Sequence, residues 1–189
     1  MAYSVKAEAR LATQKSRSQR SAEDLKFAQH AIAAHDWPTL LGGTRVTCYV
    51  SMASEPPTNE LLVTLANSNI SVWVPIMKKG RALEWGKISD ELVVNDFGVA
   101  EPRADDTFDL ASVTALIIPA QRAGRDGSRL GRGAGYYDRA LAKIPSHQDG
   151  GPKRIVLVFD DEVDDTVPCD EWDQPMDQIV TPSQVISIP

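Results

Sequence analysis

The sequence predicts an α/β protein, a three-layer helix/sheet/helix sandwich built on a mainly parallel sheet. Runs rich in apolar and β-branched residues recur at 45–50, 71–76, 113–118 and 154–159. Segments of helical composition alternate with them, and such alternation implies parallel pairing through crossover connections. A length of 189 residues, 42% hydrophobic and 24% charged, is that of one sizeable globular domain. We therefore expect a single domain over 1–189 that opens with a helical segment at 4–36.

Residues 4–36 lack Gly and Pro and are rich in Ala, Gln, Lys, Arg and Glu. That composition favours helix, and Ser21 with Asp24 forms a capping-box-like restart, so two helices are expected. Trp37-Pro-Thr-Leu-Leu-Gly-Gly ends them before the first strand, 45–50. Glu55-Pro-Pro breaks the chain, and Thr58 is placed to cap a short helix reaching Ala66. The next strand is 71–76. Residues 79–95, alternating around Gly80 and Gly86, read as a small hairpin, and 101–106 as loop. The continuous apolar run 113–118 suits a strand covered on both faces. A second buried strand follows at 154–159 and a short one at 178–181.

The most constrained stretch is Arg129-Leu-Gly-Arg-Gly-Ala-Gly-Tyr-Tyr-Asp138-Arg139. Its alternate glycines let backbone N–H groups turn toward a ligand, and the arginines add positive charge, a combination suited to an anion. It lacks the Gly-Lys-Ser/Thr of a P-loop. It also lacks the third glycine of the dinucleotide fingerprint, and Ala120–Ser128 separates it from the preceding strand. A helix follows, on which Tyr137, Leu141 and Ile144 share a core-facing side and Tyr136 points toward the glycines. Ligands of such sheets sit beyond the carboxyl ends of the strands, where this loop must lie. By spacing alone Asp138 reads as an ordinary helix-start acid at least as well as a Mg²⁺ ligand, for which Asp177 could be the second carboxylate; Asp177 reads first as part of a solvated acidic loop, and the Lys6, Arg10, Arg17 stripe as a solvated helix face.

Composition narrows the function. No apolar run reaches the ~20 residues of a membrane span, and the first residues contain no apolar signal core, which places the chain in the cytoplasm and off membranes. A net charge of -6 argues against general nucleic-acid binding. The charge is unevenly distributed: residues 1–20 hold Lys6, Arg10, Lys15, Arg17 and Arg20 against Glu8, while 160–177 carry nine acids and no base. That separation suits an anionic ligand bridged by a metal. Cys48 and Cys169 have no disulfide or metal spacing, and His30, His35 and His147 have no matched nucleophile. A chemistry in which the substrates supply all reacting atoms fits this absence.

Pro119 with Gly127, the 129–139 motif, and the Asp173-x-x-x-Asp177-x-Ile-Val-Thr ending resemble the 5-formyltetrahydrofolate cyclo-ligases, also called 5,10-methenyltetrahydrofolate synthetases. Lesser matches at Lys6-x-x-x-Arg10, Tyr49-x-Ser-Met-x-x-Glu55, Trp73-x-Pro75 and Glu101-Pro102 extend the resemblance to nearly the full length.

The resemblance implies a Rossmann-like fold of the NagB/RpiA/CoA transferase-like type. It also implies a monomeric ligase of one-carbon metabolism that uses ATP and Mg²⁺ to close a reduced folate, 5-formyltetrahydrofolate, to 5,10-methenyltetrahydrofolate. Lys6 and Arg10 would reach ATP phosphates, and Arg129, Leu130, Gly131, Arg132, Gly133, Ala134, Gly135, Tyr136 and Tyr137 would form the nucleotide loop. Arg132 to Tyr136 would also meet the folate with Met52 and Glu55, Arg132 and Tyr136 would be catalytic, and Asp138 and Asp177 would hold Mg²⁺. The chain departs from the family at Ala120-Gln-Arg-Ala-Gly124, where Gly-Leu-Ala-Phe-Asp is usual, and at Pro57, where many members carry a glutamate. Both departures fall at the substrate end. They keep open a diverged substrate or a non-catalytic folate- or nucleotide-binding protein.

Overall fold

The computed structural model describes residues 4–76, 82–88, 92–94 and 100–189. Helices α1 (Val5–Ser18) and α2 (Ala22–Ala33) are separated at Ser21, which caps α2. Its hydroxyl accepts from the Asp24 amide while the Asp24 carboxylate accepts from the Ser21 amide at 2.9 Å, so the expected capping box forms. The Trp37 segment is itself a short helix, α3 (Trp37–Leu41), started by Asp36 and stopped by Gly42 at φ +65. Strand β1 (Arg45–Thr47) is shorter than expected, although the Cys48 amide continues its ladder to Trp73. Helix α4 (Asn59–Asn67) follows Thr58 as expected, but the Thr58 hydroxyl caps nothing. It donates to the Tyr49 carbonyl at 2.8 Å and accepts from the Ser51 amide at 3.0 Å, tying off the turn that leaves β1.

Strand β2 (Ser71–Ile76) matches its expected bounds and pairs antiparallel with β3 (Glu84–Lys87). The part of the expected 79–95 hairpin at 79–81, 89–91 and 95 lies outside the described residues. Within them, β3 pairs with β2, and β4 (Leu92–Val94) pairs with β5 (Ala100–Pro102), so the start of 101–106 is strand rather than loop. Strand β6 (Ala115–Pro119) follows a 3₁₀ turn at Leu110–Ser112. The 120–128 stretch is not irregular: β7 (Arg122–Gly124) turns back on β8 (Arg129–Leu130). Then come α5 (Tyr136–Leu141), β9 (Lys153–Leu157), β10 (Val163–Asp164), β11 (Gln178–Val180) and β12 (Val185–Ser187).

The main sheet has the order β12-β11-β9-β6-β1-β2-β3. Its five interior strands are parallel, and antiparallel β3 and β12 close the edges. Alternate side chains of the interior strands feed two cores. Ala115, Ile117, Ile155 and Leu157 pack with Ile32, Trp37, Leu61 and Leu65 of α2, α3 and α4. Leu116, Ile118, Val156 and Ile179 pack on the other side with Leu141 of α5, Met176 and Ala123. The α/β sandwich is therefore as expected. From β1 the chain builds outward to β2 on one side and to β6, β9 and β11 on the other, so strand order reverses between β1 and β6. A crevice beyond the carboxyl ends of those two strands is where this architecture takes a ligand.

Candidate active site

The glycine motif leaves β8 and enters α5 beside that crevice. Gly133 sits at φ +101 and Gly135 at φ +64, conformations that side-chain-bearing residues rarely adopt, and Gly135 caps α5. Arg139 reaches back to donate to the Ala134 carbonyl at 2.9 Å, with its guanidinium 5.1 Å from the Tyr136 ring, so helix and loop are stapled together. Gly131 is partly exposed and Arg132, Gly133 and Ala134 are exposed.

The rest of the motif faces inward. Leu130 is buried in the core, and Tyr137 packs against the α5-side core and edge-on to Trp85, its hydroxyl finding no hydrogen-bond partner among the described residues. Burial pushes the Tyr137 phenol well above its ordinary pKa. Arg129 has a side-chain exposure of only 4% and pairs with Asp138, whose Oδ1 also accepts from the Gln174 amide. The expected nucleotide loop thus divides: Gly131 to Tyr136 line the surface, whereas Arg129, Leu130 and Tyr137 support it from beneath. Burial is the reason, since the hairpin lays both residues of β8 against the sheet.

Two segments far apart in sequence close on this loop. The turn after β1 brings Met52 and Glu55, and Arg132 touches both: its Nη1 is 2.8 Å from the Met52 sulfur and its Nε 3.3 Å from a Glu55 oxygen. Glu55 is itself buried and accepts from the Met52 amide at 2.9 Å, which fixes the turn. Helix α1 arrives from the other side. Arg10 Nε donates to the Gly131 carbonyl at 2.9 Å, and a Cβ on Gly133 would lie 3.3 Å from the Arg10 guanidinium carbon. Lys6 is held by Asp170 at 2.6 Å and Asp173 at 2.5 Å. Burial alone would lower the Lys6 pKa, but these two carboxylates outweigh it and raise it.

The basic N-terminus and the acidic 160–177 segment therefore meet each other directly. Besides the Lys6 clasp, Arg17 pairs with Glu162 and Arg20 with Asp161. Arg17, expected on a solvated stripe, is buried. Arg122 is also committed, through two hydrogen bonds to Asp164 at 2.5 and 2.8 Å. Asp170, Asp173 and Glu162 were missed as site-building residues. The acidic run was visible in the sequence, but its partners were not.

The expected metal carboxylates have different surroundings. Asp138 lies in the first turn of α5 beside the loop. Asp177 immediately precedes β11 and accepts from the Arg154 amide at 2.7 Å, at the amino-terminal edge of the sheet. Among the described residues no group of three or more His, Cys, Asp or Glu could hold a metal by itself. The histidines bond elsewhere: His30 to Glu60, His35 to the Thr181 carbonyl and His147 to the Gly151 carbonyl. Among the described residues no helix is long and apolar enough to cross a membrane.

Comparison with known proteins identifies relatives of this chain. The chain is 33% identical to a 5-formyltetrahydrofolate cyclo-ligase of Mycolicibacterium smegmatis, with 97% of each chain covered. It is 29% identical to that of Escherichia coli K12, over 83% of this chain and 88% of the other. The fold resembles the solution structure of Aquifex aeolicus 5,10-methenyltetrahydrofolate synthetase, with a TM-score of 0.82 at 23% identity over 98% of this chain and 93% of that one. It also resembles a Mycoplasma pneumoniae 5,10-methenyltetrahydrofolate synthetase, with a TM-score of 0.69 at 17% identity over 94% and 99%. The profile of the 5-formyltetrahydrofolate cyclo-ligase family matches residues 4–182, and with that coverage the chain belongs to this family.

Proposed function

We propose that the whole chain works as one cytoplasmic, monomeric catalytic unit that converts 5-formyltetrahydrofolate to 5,10-methenyltetrahydrofolate, consuming ATP and releasing ADP and phosphate. The observation that carries the reading is the convergence on one glycine loop of Arg10 from α1 and of Met52 and Glu55 from the β1 turn. One side of the loop is cationic and suits phosphates, and the other joins an apolar sulfur to a carboxylate and suits a heterocycle bearing N–H groups. Two unpaired cysteines, Cys48 and Cys169, suit a reducing compartment.

In this reaction the formyl oxygen attacks the γ-phosphorus, the bond to ADP breaks, and N10 closes on the activated carbon as phosphate leaves, the N10 proton passing to the departing phosphate or to water. No side chain forms a covalent bond. Catalysis is positioning plus charge stabilisation, the pattern of phosphoryl transfer generally. Arg132 joins the two substrates, contacting Met52 and Glu55 while standing on the phosphate loop. Lys6 would exchange its Asp170 and Asp173 partners for phosphate oxygens, and Arg10 would keep the Gly131 backbone in place. Tyr136, with Arg139 over one face, would present its ring to the folate.

Asp138 fits a Mg²⁺ ion that keeps waters and substrate phosphates as its other ligands, because it adjoins the loop and takes both its hydrogen bonds on Oδ1. The resemblance also assigns Asp177, but its Oδ2 is held by the Arg154 amide at the amino-terminal edge of the sheet, so Asp138 is the carboxylate that adjoins the phosphate loop. The ion would neutralise charge developing on the phosphoryl oxygens.

The test is absorbance at the methenyltetrahydrofolate band, with protein, 5-formyltetrahydrofolate and Mg²⁺ present and ATP added last. An ATP-dependent rise that falls at least ~10-fold in Arg132→Ala supports the reading. No rise from folded protein refutes it. A diverged substrate is the second reading, favoured by Gln121 in the segment that departs from the family, a buried amide whose Oε1 finds no partner among the described residues.

A further inference from the structure

Helix α1 carries Lys6 and Arg10 to the loop, yet it docks almost without apolar contact. Its only fully buried residues are Thr13 and Arg17, while Val5 and Leu11 are exposed. On a helix of 3.6 residues per turn, Lys6, Arg10, Thr13 and Arg17 fall on one side, so the docked face is polar. A helix held this way is placed by specific hydrogen bonds rather than by general hydrophobic contact.

The strongest of these contacts is at Arg17. Its Nε meets Glu162 Oε1 at 2.7 Å and its Nη2 meets Oε2 at 2.8 Å, a bidentate pair with side-chain exposures of 3% and 1%. The same Nη2 donates to the Ala120 carbonyl at 2.7 Å. Glu162 is fixed in turn by accepting from the Phe159 amide at 3.0 Å, and the Phe159 ring lies 5.7 Å from the Arg17 guanidinium carbon and 3.8 Å from that of Arg20. Ala120 leaves β6 toward the glycine loop, and Phe159 leaves β9. Arg17 therefore joins α1 to the carboxyl end of β6, which borders the crevice, and to that of its neighbour β9.

We infer that Arg17, with Glu162, is a positioning residue for the reaction: it pins α1 so that Lys6 and Arg10 meet the triphosphate. The contacts of Lys6 must change when phosphates bind, and those of Arg10 are with backbone. Arg17 is the buried contact that stays. At 1.5 Å per residue, Arg10 lies about 10 Å and Lys6 about 16 Å along the axis from Arg17. A tilt of about 6° at the anchor moves Arg10 by about 1 Å, and misplacements of that size can cost about 100-fold in rate.

The experiment compares wild type, Arg17→Lys, Glu162→Gln and the double variant Arg17→Met/Glu162→Met, and its kinetic part rests on the cyclo-ligase reading. Lysine keeps the charge but loses the fork. The double variant removes both charges together, which is usually neutral for stability, so a folded protein lacking the anchor is available. Amide hydrogen exchange over 5–18 should accelerate at least ~10-fold in each variant while β6 and β9 stay protected. The kcat/KM for ATP should fall about 10- to 100-fold, with the KM for folate changed less than about threefold. Unchanged exchange in α1 overturns the inference. So do equal kinetic losses toward both substrates, which mark a merely structural role. If wild type shows no ATP-dependent turnover, the cyclo-ligase reading falls and α1 exchange alone decides the anchor.

Discussion

Replacing Asp138 by Asn tests the support beneath the glycine loop. Arg129 is 4% exposed and Asp138 17%, so their ion pair is largely removed from water. Asparagine keeps an oxygen for the guanidinium but gives up the charge, so the loss is that of a charge-assisted bond, about 2 kcal/mol. Alanine leaves the guanidinium unpaired, and the Arg129 Nε already lacks a partner among the described residues. The cost then rises to about 3–5 kcal/mol. For a domain of this size 1 kcal/mol is about 2–4 °C, so Asp138→Asn should lower Tm by about 4–8 °C and Asp138→Ala by more. Calorimetry gives the melting point, and a magnesium titration of ATP-dependent turnover reads the metal role separately. A Tm for Asp138→Asn within about 1 °C of wild type would refute the ion-pair argument. Overlaid magnesium curves would remove Asp138 from the metal site.

Gly133→Ala places a Cβ at φ +101 and 3.3 Å from the Arg10 guanidinium carbon, which should cost about 1–2 kcal/mol and weaken ATP binding by calorimetric titration; wild-type affinity would show that the loop tolerates a side chain. Burial pushes the Cys48 thiol up to about 12, whereas Cys169 is exposed. Alkylation near pH 8 should therefore modify Cys169 alone in native protein and both thiols in denaturant, and rapid native labelling of Cys48 would contradict its burial. Burial also tends to raise the Asp173 pKa, but the Lys6 ammonium and the Asp170 amide outweigh it and lower it. The folded value then lies below the unfolded one, so stabilisation by the clasp is complete above about pH 4 and lost as pH falls through the lowered value. Because Lys6 is raised, the same clasp persists up to about pH 10. A carboxyl NMR titration should place the Asp173 midpoint below the ordinary aspartate value and return it upward in Lys6→Met; an ordinary midpoint in wild type would mean the clasp is open in solution.

What the sequence by itself determined was local. The Ser21–Asp24 capping box, the bounds of β2, the start of α4 after Thr58, and the core-facing side shared by Tyr137 and Leu141 depend on neighbours within a few residues, although α5 ends before Ile144. The glycine loop was legible for the same reason, since φ +101 at Gly133 and +64 at Gly135 are backbone demands that the residue type answers alone. Shorter pieces such as β7, β8, β10 and β12 escaped because two or three residues form a strand only when a distant partner offers a ladder.

The tertiary structure decided the roles of the charges. Arg17, Arg122, Arg129 and Arg132 look alike along the chain. Only folding buries Arg17 on Glu162, 145 residues away, commits Arg122 to Asp164 and Arg129 to Asp138, and leaves Arg132 at the mouth of the site with Met52 and Glu55. The acidic 160–177 segment was expected to share a ligand with the basic N-terminus, and instead it supplies that helix's own partners, Asp170 and Asp173 for Lys6 among them. Helix periodicity and turn chemistry act through bonds a few residues apart. The energy of a charge depends on which groups surround it and how much water remains, and both are set only when the whole chain has closed around it.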